Sequence, residues 1–80
     1  MKSLKVALSD LLISDFPEFR DINGKIMLDK MICDMLFEYH RCKNVSDKFL
    51  ETDERRKEYN TVIKELRGEI RKRIMGVFYA

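Results

Sequence analysis

Between Phe49 and Ile70, the positions Phe49, Thr52, Arg56, Tyr59, Ile63, Leu66 and Ile70 follow one another at alternating steps of three and four residues. That rhythm places one stripe of a helix against a partner helix. Thr52 and Arg56 are its weak members. With Ser46 as an N-cap and Gly76 as a stop, the seam predicts a helix from Ser46 to about Met75, with Gly68 costing about 1 kcal/mol of helix propensity inside it. Such a helix is roughly 45 Å long at 1.5 Å per residue. A compact chain of this size has a radius of gyration of about 12 Å, so the helix outruns a closed globule. Either the chain is an elongated hairpin with a charged tip, or a second chain covers the excess length. A rival division breaks the chain at Thr52, whose hydroxyl would cap a helix starting at Asp53.

The residues before the seam complete the hairpin. Leu4, Ala7, Leu8, Leu11 and Leu12 recur at helical spacing behind Ser3, a good N-cap, and predict a short first helix from Ser3 to Ser14. Pro17 drives Phe16 out of the α region and suits the first turn of a new segment, so one helical turn follows, ending at the turn dipeptide Asn23-Gly24. A second helix is expected from Lys25 to about Lys43, with Leu28, Met31, Ile32, Met35, Leu36, Tyr39 and Cys42 on one broad face. Ile26, Cys33 and Phe37 widen that apolar arc beyond what one neighbour covers, which makes this helix central. Asn44-Val45-Ser46 reads as the turn into the third helix. The expected fold is all-α: a short N-terminal helix and one-turn connector packed on a long antiparallel helical hairpin, a three-helix, coiled-coil-like arrangement forming one domain over residues 1–80.

Composition bounds the function. Only three Gly and one Pro in 80 residues leave little material for loops, and 45% hydrophobic residues are enough for collapse. Sixteen Lys and Arg against 14 Asp and Glu give a net charge of +2, too small for a whole-chain field that binds nucleic acid or anionic membranes. Any electrostatic role is local. No segment approaches the apolar length of a transmembrane helix, and Ser9-Asp10 and Ser14-Asp15 interrupt the N-terminal apolar stretch before any signal-peptide pattern completes. Two Cys form no disulfide framework, and free thiols fit a reducing, cytoplasmic setting.

The candidates for chemistry fail on geometry. Cys33 and His40 share a helix face, but Cys42 points away, so one tetrahedral metal site cannot collect all three. Along a helix the two Cys lie too far apart for a disulfide. His40 has no serine or carboxylate placed to orient it, and Asp21-Ile22-Asn23-Gly24-Lys25 lacks the ending of a phosphate loop. Neither catalysis nor a cofactor is expected.

Binding is therefore the expected function. The third helix carries a basic flank, Lys57, Lys64 and Arg71 spaced by seven with Arg67 beside them, and an acidic flank of Asp47, Glu51, Glu54, Glu58, Glu65 and Glu69. The acidic flank would repel phosphates, and the second helix offers mostly Met, Ile, Leu and Phe where base readout would be needed, so nucleic-acid binding is the alternative. Opposed flanks along an apolar seam suit an antiparallel second copy or a charge-matched partner helix. Intrahelical pairs such as Glu51/Arg55, Asp53/Lys57 and Glu69/Arg73 compete with that use. Met27, Met31 and Met35 form an adaptable ridge on the second helix. The run from Ile74 to Ala80 either folds back onto the first helix or anchors Phe78 and Tyr79 in a partner. The expectation is a small cytoplasmic adaptor, regulator or inhibitor, a homodimer that contacts a protein partner through Phe37, Arg56, Tyr59, Lys64, Arg67, Arg71, Phe78 and Tyr79.

Overall fold

A computed structural model describes residues 3–79, so Met1, Lys2 and the final Ala80 of the apolar tail lie outside the described residues. Its elements are α1 (Leu4–Asp15), a 3-10 helix (Pro17–Ile22), a single-turn α2 (Asn23–Ile26), α3 (Lys30–Ser46) and α4 (Glu54–Phe78). The described residues contain no strand, and α3 and α4 pack as a hairpin with α1 and the connector against it. The antiparallel sense of the hairpin is visible at its tip, where Ser46 Oγ donates to Asn60 Oδ1 at 2.8 Å.

The first break is where proline chemistry puts it. Ser3 caps α1 by accepting from the Val6 amide, and α1 ends at Phe16, whose backbone (φ −130°, ψ 59°) has left the α region ahead of Pro17. The second break is displaced from the sequence expectation. Asn23-Gly24 is not a turn: Asn23 is α-helical at φ −51°, ψ −45°, and among the described residues none has a positive φ. Burial decides this, because Phe19, Ile26 and Met27 all enter the core and the chain stays coiled to bring them there. The second long helix therefore begins at Lys30 rather than Lys25. Asp29, extended at φ −85°, ψ 110°, caps it by accepting from the Ile32 amide at 2.9 Å.

The third break also moves. Asn44-Val45-Ser46 is helical and belongs to α3, since Tyr39, Cys42 and Ser46 continue one buried stripe. Residues 47–53 make the connection, and α4 starts at Glu54 behind Asp53, which accepts from the Arg55 amide. That lies close to the division at Thr52, with Asp53 and not Thr52 as the cap. Phe49 belongs to the connection, yet it keeps its place in the seam by stacking on Tyr59 with ring centroids 5.9 Å apart. Gly76 stops nothing, and the helix continues to Phe78.

Helix α3 is the middle of the molecule. Its Ile32, Leu36 and Tyr39 meet Leu8, Leu12, Phe16 and Phe19 from the N-terminal part and Ile70 and Ile74 from α4. Leu28 and Met31, expected on the same face, are exposed; Leu28 precedes the helix and Met31 stands in its first turn. The 25 residues of α4 span about 37 Å at the helical rise. The molecule measures 39 × 32 × 19 Å with a radius of gyration of 13.2 Å. Its short axis is about two helix diameters, so the hairpin carries a layer on one side.

One polar cluster locks that layer. The Tyr39 hydroxyl, on a ring that is 1% exposed, donates to Asp15 Oδ2 at 2.8 Å, and Lys43 Nζ reaches the same oxygen at 2.7 Å. Burial works to raise the Asp15 pKa, but the hydrogen bonds from Lys43 and Tyr39 and the Lys43 charge outweigh it and hold the carboxyl below its ordinary value. The ionised carboxylate therefore favours the folded state above the pKa of the unfolded chain, and that contribution is lost as pH falls through the lowered native pKa. Asp15→Ala is expected to cost about 1–3 kcal/mol, because it leaves the Tyr39 hydroxyl without its acceptor. In urea titrations from neutral to acid pH, Asp15→Asn should lose less stability than the parent chain over the same interval.

Candidate docking face

A groove of about 490 Å³ runs along the α3–α4 seam, lined by Met31, Met35, Glu69, Lys72, Arg73, Gly76 and Val77. A second hollow of about 240 Å³ lies at Glu58, Tyr59 and Val62. Glu58, Val62, Glu69, Arg73 and Val77 succeed one another at steps of four and seven residues, so both hollows open on one face of α4. Arg71 projects from the other flank, where it grips Glu18 of the connector. The groove is thus on the side of the hairpin away from α1 and the connector. Met31 is 54% exposed and Val77 43% exposed, and both present apolar surface to solvent.

The rim of the groove is charged and unspent. Glu69, Lys72 and Arg73 form no ion pair or hydrogen bond among the described residues. The intrahelical pairs expected from the sequence do not form. Arg55 turns back to its cap residue Asp53 at 2.8 Å, leaving Glu51 and Lys57 out of it, and Glu69 and Arg73 stay apart. Gly76 lies inside α4, where a Cβ would meet nothing within 4 Å. Its helix-propensity cost of about 1 kcal/mol has no compensation within the chain.

The eight residues singled out from the sequence are dispersed. Phe37 is half-exposed on α3 outside the groove. Arg56 donates to the Phe49 carbonyl at 3.1 Å and closes the hairpin tip. Tyr59 stacks on Phe49 and, alone of the eight, lines either hollow. Lys64 and Arg67 are exposed on the opposite flank of α4, with Arg67 near enough to Tyr39 to favour its ionised form against burial and Asp15, which raise its pKa. Arg71 binds Glu18 at 2.7 Å and covers the Phe16 ring. Phe78 packs against the core, and Tyr79 lies beside Phe19 with ring centroids 6.1 Å apart. The tail thus docks as the last turn of α4 against the connector and core, and not by folding back.

Sequence reasoning marked Met31 and Met35 but missed that Met27 parts from them into the core, and it missed Gly76 and Val77. Both were hidden by reading the helix as ending at Gly76. The other candidates for chemistry stay apart. Among the described residues no three His, Cys, Asp or Glu are gathered where they could hold a metal, and no helix is long and apolar enough to cross a membrane. Burial pushes the Cys33 thiol up, and it donates to the Met27 carbonyl at 3.3 Å, which leaves it a poor nucleophile. His40 bonds Asn44 on the same helix. No family model, curated protein or solved structure matches the chain.

Phe78 supplies a measurable check on the tail. Phe78→Ala should lower the unfolding free energy by about 2 kcal/mol, the scale for removing a partly buried aromatic side chain, as read from the urea midpoint. Tyr79→Ala, at a half-exposed ring, should cost less.

Proposed function

We propose that the chain is a small helical protein-interaction module, of adaptor, regulator or inhibitor type, whose docking face is the open side of the α3–α4 hairpin. The observation that carries this is the groove at Met31, Met35, Gly76 and Val77, apolar at its base and bounded by Glu69, Lys72 and Arg73, which have no partner among the described residues. An apolar channel between two helices with charges of both signs on its rim suits an amphipathic helix, which would lay its apolar stripe on the methionines and fix its direction by the charges. Methionine thioethers adapt their shape to such a stripe. The role is binding and involves no catalysis or cofactor.

The alternative, nucleic acid on the row Lys57, Lys64 and Arg71, has less support. Arg71 is engaged by Glu18, and Glu58, Glu65 and Glu69 run along the same helix. The discriminating experiment uses the tagged full chain in extract of its native host. Met31→Glu with Val77→Glu should abolish capture of a protein partner while circular dichroism stays helical. Lys57→Glu with Lys64→Glu should leave capture intact. Capture unaffected by the first pair, or steep salt-dependent binding to random duplex that the second pair abolishes, would replace this proposal with the nucleic-acid one.

A further inference from the structure

Two features of the groove have no use inside a single chain. Glu69 and Arg73 stand four residues apart, acid before base, the favourable order for an intrahelical pair, yet each is left without a partner among the described residues. Gly76 faces the same groove in regular helical conformation, with no positive φ and no neighbour that a methyl group would strike. Glycine at such a position fits a site where another backbone approaches closely.

We propose that the occupant of the groove is α4 of a second copy of this chain, lying antiparallel across a two-fold axis. This rests on the docking-face reading above and names its partner. A two-fold interface presents the same patch from both sides, so a contact from Glu69 to Arg73 of the second copy is automatically repeated in reverse. One register thus satisfies all four charges. At Gly76 the absence of a side chain leaves room for the backbone of the incoming helix to come close. Met31, Met35 and Val77 then cover the flank of the incoming helix and lose the exposure they have in the single chain. A foreign helix would need acid and base at this spacing and in this order, whereas the second copy carries them by construction. The ion pairs lie on the rim, so they fix orientation and register while the apolar base supplies most of the affinity.

Sedimentation equilibrium of the full chain tests this directly. The parent chain should show a concentration-dependent dimer. Glu69→Arg alone faces Arg73 of the second copy with like charge, and Arg73→Glu alone faces Glu69 in the same way. Each should weaken dimerisation by more than about tenfold while remaining helical by circular dichroism. An equimolar mixture of the two variants restores both pairs and should form a mixed dimer. Gly76→Leu should weaken the dimer without loss of helix, and Gly68→Ala, which does not line the groove, should leave it intact. A parent chain that stays monomeric into the hundreds of micromolar, or a dimer indifferent to the charge and Gly76 variants, overturns the second-copy inference. Monomeric behaviour with capture still sensitive to Met31→Glu and Val77→Glu leaves the docking face standing with another occupant. Monomeric behaviour with insensitive capture overturns both.

Discussion

Tyr39 sets the arrangement of the other elements. Its ring lies in the core beside Phe16, 5.8 Å between centroids, and its hydroxyl is carried inside with it. A buried hydroxyl without an acceptor is costly, so the end of α1 is drawn to it, where Asp15 accepts its hydrogen bond and Lys43 balances the carboxylate. That fixes where α1 stops on α3. Immediately afterwards Pro17 turns the chain, and the connector reaches the C-terminal part of α4, where Glu18 holds Arg71 and Phe19 lies beside Tyr79. The N-terminal layer therefore spans both helices of the hairpin on one side, because a single tyrosine ties its origin to the central helix.

How far the sequence reveals this depends on which physical signal each segment carries. Helix content, the centrality of α3 and the break at Phe16-Pro17 were legible, since apolar periodicity and proline sterics act locally. The other two breaks were not. Asn23-Gly24 permits a turn without requiring one, and burial of Ile26 and Met27 overrode the local preference. Ser46 has the chemistry of an N-cap, but its position in line with Tyr39 and Cys42 made it a buried donor to Asn60 instead. Asp29 and Asp53 are the true caps, and each had the right residue type in the sequence. The groove was half legible: Met31 and Met35 stood out as a ridge, whereas Glu69 and Arg73 looked like a satisfied pair because spacing alone cannot tell a formed bond from an available one.

The near-neutral charge of the chain conceals a division of labour on α4. Arg71 on one flank is spent on the connector, and Arg56 near the tip is spent on the Phe49 carbonyl. These contacts hold the hairpin and its layer together. On the groove side Glu69, Lys72 and Arg73 form no side-chain ion pair or hydrogen bond with the rest of the described residues, so substitutions there should have little effect on the stability of the protomer. A surface that contributes so little to its own folding can be shaped by what it binds.

Position within the hairpin strengthens that case. The connection at residues 47–53 is held by the Phe49 and Tyr59 rings, the Arg56 contact and the Ser46 bond, with no member in the main core cluster. The groove lies at the other end, where Met31 and Met35 flank fully buried Ile32 and Leu36, and Arg73 stands next to fully buried Ile74. Each of these groove side chains therefore projects from backbone that the core has already ordered. A partner settling there orders side chains but no backbone, which keeps the entropic cost of association low. The uncovered face is thus also the face best prepared to be covered, which is why its unpaired charges carry more weight than the many exposed charges elsewhere on the molecule.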